Sequence, residues 1–405
     1  MKVGVSRVKS PDKFDFVFIG ILIAMALTSL VCIYASYGIV GEARGADFIS
    51  KQLLWFVVGF GGMAILKFLG NDSILQFAEI AYWILMFCLV YLLLGRYVNQ
   101  LIGINLPFVH TANGATCWFL LPGIGTLQPS EFMKIVLLLI TANVIDEHNQ
   151  SQPIGSFMSD ITLFKNVLKW VLPPMILILL QPDTGVVIII GISLIVMILC
   201  SGIKREWLLF FGLLAIIVLI VFFYMYYFHF DLLISLIGGE GGYKMKRITS
   251  WLNPESDIAG DGMQLYTALL VIGSAGLSGH GMQQLLVHIP EAQTDFIFAV
   301  VGQSWGLIGT ITIVLLCILL DLYIARIAYH SKNMYEKYFI LGILGMLLYQ
   351  QIQNIGMIIG LLPITGITLP LISYGGSSLL SYFAAFGIIM NTSSKNQSNN
   401  DFMYE

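Results

Sequence analysis

Apolar and polar positions in this chain fall into long blocks. Apolar runs lie near 15–38, 53–69, 75–95, 129–145, 167–181, 184–201, 207–228, 296–324, 337–361 and 370–390. Most approach the roughly 20 residues that a helix needs to cross a bilayer. The fourth to sixth are shorter or abut one another through Gln181-Pro182-Asp183. Lipid leaves backbone polar groups unsatisfied unless the chain is helical or closed into a barrel. Runs this continuous exclude the ten-residue alternation of barrel strands. The pattern therefore predicts an all-α, polytopic membrane protein with about ten transmembrane helices and a large extracellular loop between helices 7 and 8.

That loop, 229–295, is the main polar interruption. The expected organisation is one transmembrane domain over 1–391 and a short, polar, disordered cytoplasmic tail over 392–405. Within the loop, Gly238 to Gly242 reads as a hinge, and Met263 to Leu277 is apolar but too short to span, so it should lie in the interface or re-enter. The pairs Gly302/Gly306 and Gly356/Gly360 have the four-residue spacing of close helix packing.

Composition agrees. The 405 residues are 58% hydrophobic and 11% charged, with a mean hydropathy of +0.86, more apolar surface than a soluble domain hides. The first run follows Lys2, Arg7, Lys9 and Lys13, exceeds a signal-peptide core and lacks a small-residue cleavage site after it, so it reads as a retained helix. With ten spans and an interior N-terminus, the larger share of the 20 Lys and Arg falls inside. The positive-inside rule then makes both termini cytoplasmic. No basic stripe or nucleic-acid motif is present, which sets that partner aside. Cys32, Cys88, Cys117, Cys200 and Cys317 lack metal-ligand spacing and read as small hydrophobes.

Ionisable groups at or in the hydrocarbon are costly and mark candidate sites. Asp295 ends the string His288-Ile289-Pro290-Glu291-Ala292-Gln293-Thr294-Asp295, directly before the eighth run. It is either the cap of that helix or a base or metal ligand at a cavity mouth. Glu291 is a second carboxylate or a structural partner. In Gln128-Pro129-Ser130-Glu131, Glu131 and Lys134 are three apart and can pair on one helix face. Asp183 is a helix cap or a cavity carboxylate. Lys244, Lys246 and Arg247 are solvated loop charges or contacts for a pyrophosphate. Gly375-Gly376-Ser377-Ser378 opens the last helix, as an anion site built on free N–H groups or as close packing.

Together the strings QPSEFMK, QPDTG, KRITSWLNP, HIPEAQTDFIF and NIGMIIGLLPITGITLPLISYGGSS resemble the signature set of the SEDS family, the RodA, FtsW and SpoVE proteins. The resemblance runs in order from Asn113 to Ser378, and ten helices agree with that family. It implies a peptidoglycan glycosyltransferase of the bacterial cytoplasmic membrane that polymerises lipid II at the outer face, partnered by a class B penicillin-binding protein. It places the catalytic role on Asp295, cavity-lining or supporting roles on Glu131, Lys134 and Asp183, and a basic loop position on Arg247. Charge at the departing pyrophosphate would be met by Arg247, Lys134 or a divalent cation, Mg or Mn. Glu291 and Ser377 complete the expected substrate or cavity set. Two positions depart from the family pattern. Cys117 stands where many members carry Arg, and Gln303 and Ser304 where many carry Glu, which removes a carboxylate that could help hold a metal. The Lys246–Trp251 string and short tail resemble the elongation branch; division or sporulation is the alternative branch, and precursor transport the alternative activity.

Overall fold

The computed structural model describes residues 14–37, 42–112, 114–121, 123, 125–152, 155–237, 243–258, 260, 262–282 and 289–404. The expected hinge at Gly238 to Gly242 lies outside them, as do Asn113, His288 and the side chains of Lys244 and Lys246.

Each apolar run coincides with a long helix. These are α1 (Phe16–Ala35), α2 (Glu42–Leu69), α3 (Asn71–Ile102), α4 (Pro129–Ser151), α5 (Phe157–Leu180), α6 (Thr184–Cys200), α7 (Arg205–Phe228), α11 (Ile297–His330), α12 (Met334–Ile358) and α13 (Gly376–Tyr404). Among the described residues between α7 and α11 lie three shorter α-helices, α8 (Phe230–Ile237), α9 (Tyr243–Leu252) and α10 (Met263–Ser274), and a 3-10 turn over Pro254–Asp257. Among the described residues six helices, α1, α2 over Gly45–Leu69, α3, α5, α7 and α11, are long and apolar enough to cross a membrane by themselves. The others have a physical reason to fall short. Helix α6 is apolar but has 17 residues. Helices α4 and α12 bury Glu131, Lys134, Gln350 and Asn354 within the protein, and a helix that faces protein can carry groups that lipid would reject.

A three-stranded antiparallel sheet, absent from the sequence reading, joins α3 to α4. Strand β1 (Val109–Ala112) pairs with β2 (Ala115–Leu121), with His110 opposite Trp118, and β2 pairs with β3 (Gly125–Leu127), with Leu120 opposite Thr126.

The C-terminal segment expected to be disordered is helical through Tyr404. Polar side chains in its first turn, Thr392, Ser393 and Lys395, have partners that hold it. Buried Glu336 on α12 accepts from Asn71 Nδ2 (2.9 Å), Thr392 Oγ1 (2.9 Å) and Lys395 Nζ (2.6 Å). Asp15, the cap of α1, accepts from Tyr323 Oη on α11 at 2.8 Å and from Ser393 Oγ.

The short apolar segment in the loop becomes α10, which packs its Leu265, Ala268 and Val271 inward. The turn after it enters a break in α11. At Gly306 the backbone leaves helical geometry (φ 61°, ψ −148°). Four hydrogen bonds that α11 cannot make internally go to this turn. His280 N donates to Gln303 O (2.8 Å), Gly281 N to Ser304 O (3.1 Å), Leu307 N to Gly276 O (3.0 Å) and Ile308 N to Leu277 O (3.2 Å). A Cβ on Gly306 would stand 2.5 Å from Gly279 N. The expected Gly302/Gly306 packing pair is therefore a helix break clasped by a loop, and Gln303 and Ser304 serve that clasp.

Candidate active site

A cavity of about 440 Å³ opens at the end of the bundle that bears the sheet and the α7–α11 connection. Glu131, Asp183, Arg247, Glu291, Asp295 and Ser377, drawn from five separate chain segments, all line it.

Asp295 is held by its backbone, which leaves its carboxylate to the cavity. Helix α11 has no side-chain cap hydrogen bond, so the capping role considered for Asp295 is not realised. The turn is closed by Glu291, whose carbonyl accepts from Thr294 N (3.1 Å) and Phe296 N (3.3 Å). Glu291 has φ 53°, a left-handed conformation uncommon outside glycine. Its carboxylate accepts from Gln293 Nε2 (3.3 Å) and Thr294 Oγ1 (3.2 Å). Glu291 is thus a structural partner and a second cavity carboxylate at once. From α12, buried Asn354 donates to the carbonyl of Asp295 (2.8 Å) and to that of Ile367 (2.8 Å). The loop before α13 grips the same turn, through Ser373 Oγ to Thr294 O (2.7 Å) and Tyr374 N to Gln293 O (2.9 Å).

Burial first, then the neighbouring Glu291 carboxylate, pushes the pKa of Asp295 up to about 6, against the opposing pull of Arg247. That exceeds the value near 4 of a free aspartate and suits a base working near neutrality. Gly366 (φ 74°) lies beside this pair: a Cβ there would stand 3.3 Å from Asp295 Oδ2 and 3.8 Å from Arg247 Nη2. Arg247 is placed by α9, anchored where Trp251 Nε1 donates to Gly360 O at 3.0 Å.

Asp183 both caps and lines. Its Oδ1 accepts from Val186 N (3.4 Å), and its Oδ2 accepts from Gln128 Nε2 (2.7 Å) and Ser130 Oγ (3.0 Å). Burial and nearby Glu131 push its pKa up, while those hydrogen bonds pull it back. Gln128 also accepts from Trp118 Nε1 (3.1 Å), which docks the sheet onto α4. Cys117, on the same strand, lines the cavity, and burial pushes its thiol well up, so it stays neutral.

Lys134 is not part of the cavity lining. It is fully buried below, with Nζ 2.7 Å from Glu131 Oε2 and 4.8 Å from the centroid of the Tyr382 ring. Tyr382 in turn donates to Gln350 (2.8 Å), which reaches the cavity wall. Of the two basic side chains expected at a leaving group, Arg247 faces the cavity and Lys134 supports Glu131 from beneath. Ser377 accepts from Gln128 N (2.9 Å) and donates to Thr126 O (3.2 Å), so the start of α13 is tied to the strand-to-α4 connection. Gly376 packs so closely on Trp55 that a Cβ would meet its ring at 2.6 Å. Of the two readings of that segment, close packing is present, and Ser377 also lines the cavity.

Comparisons with known proteins agree with this architecture. The family model for cell cycle proteins of the FtsW, RodA and SpoVE type matches residues 15–398. Stage V sporulation protein E of Bacillus subtilis (strain 168) is 31% identical over 387 residues, covering 94% of this chain and 96% of that protein. A probable peptidoglycan glycosyltransferase FtsW of Geobacter sulfurreducens is 29% identical over 401 residues, covering 98% and 99%. Among solved structures, the rod shape determining protein RodA of Thermus thermophilus superposes with a TM-score of 0.63 at 24% identity, over 94% of this chain and 97% of that one. A chain of a peptidoglycan synthase complex superposes with a TM-score of 0.72 at 23% identity, over 95% and 99%.

Proposed function

The chain belongs to the FtsW, RodA and SpoVE family of cell cycle proteins, and from that premise we propose that it is a peptidoglycan glycosyltransferase that joins lipid II units into β-1,4-linked glycan. The observation that carries this reading is the convergence of Asp295, Arg247 and Gly366 on one cavity. A carboxylate with raised proton affinity sits beside a cation, and no side chain at position 366 separates them.

In this reading Asp295 accepts the proton of the 4-hydroxyl on the acceptor's terminal N-acetylglucosamine as that oxygen attacks C1 of the donor N-acetylmuramic acid. The C1–O bond to undecaprenyl pyrophosphate breaks, and the departing diphosphate carries away the electron pair. One base and a stabilised leaving group suffice for inversion, as in inverting glycosidases. Proton transfer concerted with attack contributes roughly 10²–10⁴-fold. Arg247 meets the charge that develops on the pyrophosphate, where a preorganised cation acts most strongly. Among the described residues no group of three or more His, Cys, Asp or Glu could hold a metal. Glu291, the other carboxylate of the cavity beside Asp295, would be the protein's donor for Mg or Mn. Such an ion would neutralise leaving-group charge.

A cavity facing the outer leaflet, and termini in the cytoplasm, are part of the proposal and rest on the distribution of Lys and Arg. A class B penicillin-binding protein is the proposed partner, supported by the likeness to a chain taken from a peptidoglycan synthase complex. The Lys246–Trp251 string favours a role in elongation; the sporulation and FtsW names of the sequence relatives support division or sporulation equally. Against transport, Glu131, Asp183 and Asp295 cluster at one end of the bundle, where Glu131 is in the first turn of α4 and Asp183 caps α6. Purified chain with and without a class B penicillin-binding protein should convert lipid II to muramidase-sensitive polymer. Arg247→Ala should slow that conversion. Transbilayer movement of lipid II with no polymer would reject the reading.

A further inference from the structure

A second cavity, of about 310 Å³, lies at the opposite end of the bundle, between the end of α4 and the start of α5. It is lined by Glu147 and His148 of α4 and by Thr162, Asn166, Lys169 and Trp170 of α5, among others. His148 Nε2 and Ser159 Oγ, 2.8 Å apart, fasten the two helices below it. Nothing in the proposed glycosyl transfer uses this groove, and the inference stands independently of that reading.

Two features are unusual for the outside of a membrane helix. Thr162, Asn166 and Lys169 are exposed and follow i, i+4, i+7 spacing, so they form one polar stripe on α5. Glu147 and Lys169 line the same groove with opposite charges, yet among the described residues they form no salt bridge with each other. Glu147 instead accepts from its helix neighbour Asn143 (2.8 Å). Two exposed, separated opposite charges in one groove at a bilayer surface match a ligand that carries both signs.

Depth orders the charges. Glu147 is four residues from the end of α4, and Lys169 twelve residues inside α5. At a rise of about 1.5 Å per residue, the Glu147 Cα lies about 6 Å from the end of α4 and the Lys169 Cα about 18 Å from the start of α5. The lysine stem extends back toward the interface while its methylenes lie against apolar surface. Trp170, whose carbonyl accepts from Tyr82 Oη at 3.0 Å, borders the groove beside Lys169. A phospholipid in this leaflet presents its phosphate deeper and its headgroup amine nearer water.

We infer that the α4–α5 groove binds a zwitterionic, primary-amine phospholipid of the phosphatidylethanolamine type, in the leaflet at the end of the bundle that bears both termini. Its phosphate meets Lys169 and Asn166, and its ammonium donates to Glu147. A quaternary ammonium has no N–H to donate to Glu147. A phosphatidylglycerol headgroup offers hydroxyls and no cation there.

The test is native mass spectrometry of the full-length protein in detergent with equimolar phosphatidylethanolamine, phosphatidylcholine and phosphatidylglycerol. The protein should retain phosphatidylethanolamine about tenfold over each of the others, the size of one hydrogen bond between charged groups. Glu147→Gln should lower phosphatidylethanolamine to the phosphatidylcholine level without lowering phosphatidylglycerol. Lys169→Gln should lower all three. Both positions are exposed, and unchanged melting temperatures in lipid-free detergent would show that the fold is intact. Preference for phosphatidylglycerol, equal retention of all three lipids, or variants that bind as the parent does would each overturn the assignment.

Discussion

Asn354 fixes the position of Asp295 without touching its carboxylate. Its Nδ2 donates to the carbonyl of Asp295 at 2.8 Å and to that of Ile367 at 2.8 Å. One buried amide thus holds together the turn that carries the proposed base and the loop that carries Gly366. Removal in Asn354→Ala leaves two carbonyls without their donor, at about 1–3 kcal/mol each. The expected outcome is a lower melting temperature together with a 10- to 100-fold fall in polymer formation, because a shift of about 1 Å in a reacting group costs on that order. Polymerisation at the parent's rate would mean that Asp295 is positioned by other contacts.

The pKa of Asp295 near 6 sets the pH profile. A base must be unprotonated, so polymerisation should fall as pH drops through about 6. Stability runs the other way. The folded protein holds this proton more tightly than the unfolded chain, whose aspartate titrates near about 3.9. The cost of the buried charge is therefore absent below about pH 4 and complete above about pH 6. Asp295→Asn should melt higher than the parent at pH 7.5, with the margin shrinking toward pH 4.5. A constant margin would show that Asp295 is not perturbed in the fold.

The α11 break should be intolerant of a side chain. In Gly306→Ala, the Cβ would stand 2.5 Å from Gly279 N on a backbone with φ 61° and ψ −148°. That conformation costs a non-glycine residue about 1–3 kcal/mol before the clash is counted. Gly302→Ala meets side chains rather than backbone, Ile272 Cγ1 at 3.0 Å and Thr310 Cγ2 at 3.6 Å, and should be milder. Melting temperatures of the two variants test this directly.

Lys134 and Glu131 form a buried pair at 2.7 Å. Lys134→Met should destabilise by about 3–5 kcal/mol because it strands a buried carboxylate. Combining it with Glu131→Gln should recover most of that loss. Additive losses in the double variant would show that the two residues act separately.

Much of this architecture is legible in the sequence. All ten apolar runs became helices because lipid imposes block hydrophobicity, and the charged members of the site stand out against that background. The uncharged members do not. Asn354 and Gln350 sit inside an apolar run, and only their amides, out of place there, mark them. Gly366 looks like any loop glycine until a side chain is built on it. The sheet was hidden by its short strands, although Asn113-Gly114 between Ala112 and Ala115 is a hairpin turn signal. Gly306 carries the spacing of a packing motif yet breaks its helix, because the turn after α10 supplies the hydrogen bonds that α11 gives up. That exchange depends on residues more than twenty positions away, beyond any local pattern.

The central claim is that the Asp295 carboxylate accepts a proton as two lipid-linked sugars are joined. It is tested most directly by measuring glycan polymer made from lipid II by purified Asp295→Asn protein, supplied with its partner transpeptidase and shown by thermal melting to be folded. A loss of at least about 10²-fold is predicted. Polymer of normal length formed at the parent's rate would contradict the account.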